Sequence, residues 1–209
     1  SERIALEEYF ILISAFKIIK GDKMQVRLNH YDISGPQIKD FTNRFGFELT
    51  QGQKNAINEV FSDLRSGKVM NRLLQGDVGS GKTVVSLCAI YSAFISGFQS
   101  VMLAPTEVLA KQNYELICKY IPEAKVAFLS GSLSQKEKNA VKNGIESGEF
   151  SIVCGTHAIL EKDVIFKNLS LCVCDEQQRF GVAQRSNLVS KGKFCDVLVM
   201  SATPIPRTL

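Results

Sequence analysis

The sequence predicts an α/β fold in which a parallel sheet is covered by helices on both faces. Short apolar segments alternate with longer amphipathic segments from Phe47 onward, which is the pattern of strands joined by crossover helices. The segments at residues 101–104, 152–154 and 171–174 are apolar throughout, as is typical of parallel strands buried on both faces. A glycine-rich loop at residues 76–82 separates one of the short apolar segments from the helix-length segment that follows it.

The region before Phe47 is predicted to be helical and forms a segment of its own. Residues 1–20 are predicted to form one helix that ends at Gly21, and a short helix is predicted at residues 37–44. The apolar run at residues 9–19 is far shorter than a membrane span and is interrupted by Lys17, so no membrane partner is expected. We divide the chain into a helical linker segment, residues 1–45, and an α/β domain, residues 46–209.

Within the α/β domain, helices and strands are predicted in alternation. Thr50 is expected to cap a first helix that runs to residue 66 and stops at Gly67. Further helices are predicted at residues 83–96, 106–120 and 134–148, the last beginning with a capping box formed by Ser134 and Glu137. Strands are predicted at residues 71–75, 100–104, 125–129, 151–154, 169–175 and 197–201.

The composition is that of an ordinary globular protein. The 209 residues carry 25 Lys and Arg against 21 Asp and Glu, and the net charge of +4 permits a polyanionic partner without requiring one. The six cysteines include no CxxC pair, which argues against a zinc site and favours buried free thiols in a reducing cytosol. Cys172 and Cys174 are two residues apart, so both are expected to face the same side of a strand.

The loop at residues 76–83, GDVGSGKT, fits the GxxxxGK[ST] pattern of phosphate-binding loops. Glycines allow the backbone to wrap closely around phosphates so that successive N–H groups point inward. Lys82 would reach the β- and γ-phosphates at the positive end of a helix dipole, and the Thr83 hydroxyl would bind Mg²⁺. The alternative is a flexible surface loop. The predicted nucleotide contacts in the loop are Gly76, Asp77, Val78, Gly79, Ser80, Gly81, Lys82 and Thr83.

An apolar strand ends in two acidic residues, Asp175 and Glu176. Asp175 is placed to hold Mg²⁺ through water, and Glu176 would orient or deprotonate the water that attacks the terminal phosphate. An acidic pair after a strand is also compatible with a helix N-terminus, where the dipole stabilises carboxylates. In combination with the phosphate loop, the pair predicts nucleotide hydrolysis.

Several segments resemble the motifs of superfamily 2 helicases, and more closely those of the RecG-type branch-migration helicases. Residues 74–83 (LQGDVGSGKT) resemble motif I, residues 104–110 (APTEVLA) motif Ia and residues 155–158 (GTHA) motif Ib. Residues 175–182 (DEQQRFGV) resemble motif II and residues 201–209 (SATPIPRTL) motif III. Residues 47–50 (FELT) with Gln53 resemble the adenine-reading Q motif, and residues 3–10 (RIALEEYF) resemble the segment just before the motor.

The transcription-repair coupling translocases are the nearest alternative family. They share RFGV and ATPIPRTL, but their motif II usually has a second Glu at the position of Gln177. Their motif I tends to carry a bulkier residue at the position of Ser80. Both differences favour the RecG-type resemblance.

The resemblance implies the first RecA-like lobe of an ATP-dependent DNA helicase that acts on branched DNA, such as Holliday junctions and stalled forks. The implied cofactors are ATP and Mg²⁺. The implied partners are branched DNA, a second RecA-like lobe and a wedge domain of the same full-length protein. Motifs V and VI, with an arginine finger, belong to the second lobe in this family and are not among the 209 residues, so we expect these residues alone to be nearly inactive.

Two other functions stay open from the residues. The chain could be a nucleotide-binding module that docks a partner without catalysis. It could also belong to a P-loop NTPase with no nucleic-acid role, although motifs Ia and III argue against that class.

The resemblance also implies roles for individual residues outside the phosphate loop. Phe47 and Gln53 are implied to bind adenine, because an amide matches the N6 and N7 edge of the base. Gln178 stands where the family usually has His, and is implied to act with Lys82 and Glu176 in catalysis, although an amide cannot become a cation as His can.

The predicted DNA contacts come from motifs Ia and Ib. Thr106, Thr156 and His157 are implied to contact the DNA backbone, since hydroxyl and N–H groups at strand ends suit phosphate. The two threonines could equally cap the helix and the turn that follow them. The basic side chains of Lys111, Lys136, Lys138 and Lys142 are interpreted as solvated helix surfaces.

Overall fold

The computed structural model describes residues 30–175 and 195–202. The helix predicted at residues 1–20 lies outside the described residues. The same holds for Glu176, Gln178 and most of motif III.

The centre of the domain is a six-stranded sheet in which every neighbouring pair of strands is parallel. The order across the sheet is β1-β6-β5-β2-β4-β3. All six predicted strands are confirmed to within one residue at each end. The strands are β1 (Asn71–Gln75), β2 (Gln99–Leu103), β3 (Val126–Leu129), β4 (Ile152–Gly155), β5 (Leu169–Cys174) and β6 (Asp196–Ser201).

The described helices begin and end close to the predicted residues. Pro36 stands at the start of the first helix, which begins two residues before the predicted start because proline is favoured there. Thr50 forms a capping box with Gln53, and Ser134 forms the predicted one with Glu137. In the described part of the chain no helix is long and apolar enough to cross a membrane. The helices are α1 (Gly35–Asn43), α2 (Gln51–Arg65), α3 (Lys82–Ile95), α4 (Glu107–Tyr120) and α5 (Gln135–Ser147).

A 3₁₀ helix, His157–Leu160, follows β4 and was not predicted from the sequence. A single turn is too short to show a helical period, so its sequence gives no pattern to detect.

The apolar core lies on both faces of the sheet, as the fold class predicts. Along β5 the side chains alternate: Leu171 and Val173 belong to one buried cluster, and Cys172 and Cys174 belong to the other. The prediction that these two cysteines face the same side is therefore confirmed. All six cysteines are free, and all are buried except Cys118, which is half-buried.

The described part of the linker segment packs into the same core as the α/β domain. Tyr31 is buried and its hydroxyl donates to the Ser170 backbone oxygen over 3.2 Å. The Phe41 ring of α1 stacks on Tyr91 of α3, with ring centroids 4.1 Å apart. The division between residues 45 and 46 stays a prediction, but residues on both sides of it share one hydrophobic cluster.

Lys142 on α5 is not the solvated side chain that was predicted. Only 9% of its side chain is exposed, and its Nζ atom lies 2.7 Å from carboxylate oxygens of both Glu161 and Asp163. These two carboxylates raise the pKa of Lys142. The prediction was wrong because charge patterning along one helix does not reveal acidic residues on a distant loop. Lys111 and Lys136 are exposed, as predicted.

Candidate nucleotide-binding site

The predicted phosphate loop connects the carboxyl end of β1 to the first residue of α3. Ligands of parallel α/β sheets bind at the carboxyl ends of the strands, so the loop has the position that its proposed chemistry requires. The N–H group of Gly76 donates to the backbone oxygen of Ser201 over 3.3 Å, which joins the start of the loop to the end of β6.

Two glycines give the loop its shape. Gly79 and Gly81 have φ angles of 79° and 80°, in the left-handed region that other residues rarely adopt. A Cβ atom at Gly81 would also collide with the side-chain amide of Gln53. The backbone conformation therefore favours glycine at residue 81, and a larger residue would also displace the end of the Gln53 side chain.

The backbone of the loop presents hydrogen-bond donors at the N-terminus of α3. Gly81 is the N-cap of this helix and supplies no side-chain cap. Donors of this kind at a helix N-terminus bind phosphate, because the aligned peptide dipoles favour negative charge. In residues 30–175 and 195–202 no hydrogen-bond partner is found for the N–H groups of Gly79, Gly81, Lys82 and Thr83.

The Lys82 side chain folds back over the loop. Its Nζ atom donates to the backbone oxygens of Gly76, over 2.7 Å, and of Asp77, over 2.9 Å. The ammonium group thus lies against the loop backbone, in a position to bind the oxygens of a phosphate held by the loop.

The side chains of Thr83 and Asp175 fit a magnesium site by their chemistry. Mg²⁺ prefers oxygen ligands and is usually held by one or two side chains together with water and substrate phosphates. Thr83 is the second residue of α3, and Asp175 directly follows β5, so both are at the carboxyl edge of the sheet. Asp175 is held by its backbone N–H group, which donates to the Leu103 oxygen over 2.9 Å, and by its side chain, which accepts from Asn113 over 3.4 Å.

The side chain of Gln53 links the cap of α2 to the phosphate loop. Its Oε1 atom accepts from the N–H group of Thr50, and its Nε2 atom donates to the Ser80 backbone oxygen, each over 3.0 Å. One N–H bond and one lone pair of the amide remain for adenine. The sequence indicated the residue and its amide chemistry but not this contact with the loop.

Phe47 lies at the surface beside a buried aromatic cluster. Its side chain is 52% exposed, and its ring stacks on that of Phe45 with centroids 5.8 Å apart and an interplanar angle of 27°. One ring face rests on the protein, which leaves area for an aromatic base. The adenine contact itself stays a prediction.

The predicted DNA contacts follow neighbouring strands. Thr106 is the N-cap of α4 and accepts from the Leu109 N–H group over 3.3 Å, so the capping alternative is confirmed for this residue. Thr156 precedes the 3₁₀ helix but forms no side-chain cap, so the capping alternative is wrong there. His157 is exposed and begins the 3₁₀ helix. Strands β2 and β4 are neighbours, which brings the segments with these residues to one edge of the sheet.

One residue of the site was missed in the sequence. Asn113 lies on the buried face of α4 with Ala110 and Ile117, and it contacts the carboxylate of Asp175. The detectable signal was a polar residue in an otherwise apolar stripe of helix period. Glu176 and Gln178 lie outside the described residues, and their predicted roles stay predictions.

A family model described as DEAD/DEAH box helicase matches residues 50–209. This chain belongs to that family. Over its whole length the helicase chain is 45% identical to the ATP-dependent DNA helicase RecG of Thermotoga maritima, of which it covers 27%. It is 48% identical over 180 residues to RecG of Staphylococcus aureus strain NCTC 8325, covering 86% of this chain and 26% of the relative.

Structural comparison agrees with the helicase family. A solved structure of RecG bound to a three-way DNA junction matches with a TM-score of 0.81 and 44% sequence identity. The match covers 99% of this chain and 28% of that chain. The predicted RecA-like fold and the predicted resemblance to RecG-type helicases are therefore confirmed, and the chain spans about a quarter of the length of these relatives.

Proposed function

We propose that this chain is the nucleotide-binding lobe of an ATP-dependent DNA helicase that acts on branched DNA. The observation that supports this best is the loop at residues 76–83, which combines N–H donors that have no partner among the described residues, Lys82 and the N-terminus of α3 at the carboxyl edge of the sheet. The similarity to RecG, including a structure with a three-way DNA junction, supports branched DNA as the nucleic acid. The same similarity favours a branched-DNA helicase over a transcription-repair coupling translocase.

Different residues of the lobe are assigned to the phosphates, the adenine and the metal ion of the bound nucleotide. The loop N–H groups and Lys82 hold the phosphates of ATP, and Phe47 with Gln53 holds the adenine. Thr83 and Asp175 hold Mg²⁺, which when bound neutralises the charge that develops on the phosphates. We assign to Glu176 the orientation of the attacking water and to Gln178 a role in coupling the nucleotide to a second lobe, both from the motif resemblance.

We assign the arginine that stabilises the transition state of ATP hydrolysis to a second lobe. Phosphoryl transfer is accelerated by an arginine that meets the charge of the transition state. Each arginine in the described residues already has another partner. Arg44 pairs with Glu123, Arg65 donates to the Ile33 oxygen, and Arg72 pairs with Glu59 and Asp63.

The DNA part of the proposal is tested on the full-length protein. ATP turnover is measured without DNA, with linear duplex and with a three-way junction of the same total length. We expect the junction to stimulate turnover most. Equal stimulation by linear duplex would contradict the choice of branched DNA, and no stimulation by either would contradict a helicase function.

The nucleotide part is tested on the 209-residue chain by calorimetry. We expect ATP and ADP to bind in the presence of Mg²⁺. Absence of binding by a folded chain would contradict the site, whatever the result with DNA.

A further inference from the structure

Asn113 is a buried polar side chain in the middle of α4. It is 6% exposed, and the other buried residues of this helix are Ala110 and Ile117, both apolar. Burial of an amide is unfavourable unless the amide is hydrogen-bonded, so an apolar residue would be expected at residue 113 if packing were its role. The hydrogen bond found for this side chain in the described residues is the one from Nδ2 to Oδ2 of Asp175.

Asp175 is held at two points by the unit formed by β2 and α4. Its backbone N–H group donates to the oxygen of Leu103, the last residue of β2, over 2.9 Å. Its carboxylate accepts from Asn113, which lies about two turns into the helix that follows β2. One strand–helix unit therefore contacts both the backbone and the side chain of Asp175.

The amide is suited to orient a carboxylate that binds a metal ion. An N–H donor on one carboxylate oxygen restricts the rotamer of the side chain and so orients the carboxylate towards an ion or its bound water. The 3.4 Å separation is longer than the roughly 2.7–3.2 Å of a strong N–H···O bond. Contacts in catalytic sites are often long until the ligand is bound.

We propose that Asn113 is a positioning residue for Asp175, and that it increases the affinity of the nucleotide site for Mg²⁺ by holding this carboxylate in its binding orientation. The proposal rests on the proposed function, which assigns Asp175 to the metal. Residues that orient a metal ligand through a hydrogen bond typically contribute about 10–100-fold to metal affinity.

The test uses the affinity of the 209-residue chain for ADP, measured by calorimetry with excess MgCl₂ and again with EDTA. The ratio of the two affinities is the contribution of the metal. A variant that merely loosens the fold lowers both affinities and leaves the ratio unchanged. Asn113→Leu keeps the branched shape of the side chain but removes the donor, and we expect it to reduce the ratio about 10–100-fold.

Three further variants separate the possible outcomes. Ile117→Val removes one methyl group from the same buried face of α4 and should leave the ratio unchanged. In an Asp175→Asn background, Asn113→Leu should have little further effect on the ratio, because its target is gone. Asn113→Gln retains an amide donor and should recover part of the loss.

The outcomes distinguish the two proposals. If Asp175→Asn lowers the ratio and Asn113→Leu does not, the role of Asn113 is wrong and the metal site stands. If Asn113→Leu lowers the ratio equally with and without the Asp175→Asn change, Asn113 does not act through Asp175, and the inference is overturned. If Asp175→Asn itself leaves the ratio unchanged, the metal ligand is wrong, and the inference is overturned with it.

Discussion

Gln53 holds the phosphate loop and caps α2 with the same amide, and substitutions can separate these two effects. Gln53→Ala removes the bonds to the Thr50 N–H group and to the Ser80 oxygen. Each such bond contributes about 0.5–1.5 kcal/mol net, and both lie near solvent, so we expect a loss of about 1–2 kcal/mol in the free energy of unfolding. For a chain of this size that lowers Tm by about 2–8 °C.

Gln53→Glu retains the cap and removes the loop contact. A carboxylate at this position still accepts from the Thr50 N–H group and is favoured in the first turn of a helix by about 0.3–1 kcal/mol. It cannot donate to the Ser80 oxygen, and it brings negative charge towards the phosphates. For charges about 8 Å apart at an effective dielectric constant of about 40, each pair costs about 1 kcal/mol. We therefore expect near-wild-type stability with ATP affinity reduced about tenfold.

The assay combines thermal unfolding with calorimetric titration of ATP and GTP. Gln51→Glu is the matched control, because Gln51 is exposed in the same first turn but its side chain contacts Asn55 instead of the loop. If Gln51→Glu weakens ATP binding as much as Gln53→Glu, the effect is one of general charge and the loop contact is irrelevant. Gln53→Ala should weaken ATP more than GTP if the amide also reads adenine, and both equally if it only supports the loop.

Three other results are expected. Lys82→Ala should weaken ATP binding by about 1.5–3 kcal/mol, roughly 10–150-fold, because a charged hydrogen-bond donor is lost. Substitution of the exposed Lys136 by Ala should leave ATP binding unchanged. Equal ATP affinities of the wild type and Lys82→Ala in calorimetry would contradict the role of Lys82. At pH 8 a disulfide reagent should modify the half-buried Cys118 before Cys88, because burial raises the pKa of Cys88 to about 12 and so suppresses its reactive thiolate form. If mass spectrometry found Cys88 modified first, the buried position of Cys88 would be contradicted. The 209 residues alone should hydrolyse ATP about 10³–10⁵-fold more slowly than they do with a second lobe added, and equal turnover would show that the catalytic cation lies within them.

The parts of the structure that were predictable from sequence depend on local signals. Thr50 and Ser134 begin helices because their side chains cap the N–H groups of the next turn, and β2, β4 and β5 are apolar because both faces are covered. The phosphate loop is equally local, since its eight residues carry both the glycines and the ligands.

The parts that were missed depend on contacts between distant residues. Lys142 lies about twenty residues from its acidic partners, and Asn113 is separated by 62 positions from Asp175. The apolar stripe around Asn113 marks the residue as unusual, but the local sequence does not identify the partner of either side chain. A buried polar side chain becomes informative when the structure shows what it faces.

The loop of this lobe is partly organised for phosphate by the protein alone. Lys82 is bound to two loop carbonyls, and Gln53 is bound to a third at Ser80, so the side chains that border the loop are already held against it. Phosphate oxygens must compete with the carbonyls for the ammonium of Lys82, and the net contribution of this residue is therefore smaller than its gross attraction to ATP. The N–H groups of Gly79, Gly81, Lys82 and Thr83 have no such competitor in the described residues, so in the proposed site they would bond to phosphate without breaking another hydrogen bond of those residues. In the proposed site, the backbone geometry that Gly79 and Gly81 make possible is therefore the feature of the loop that would favour phosphate.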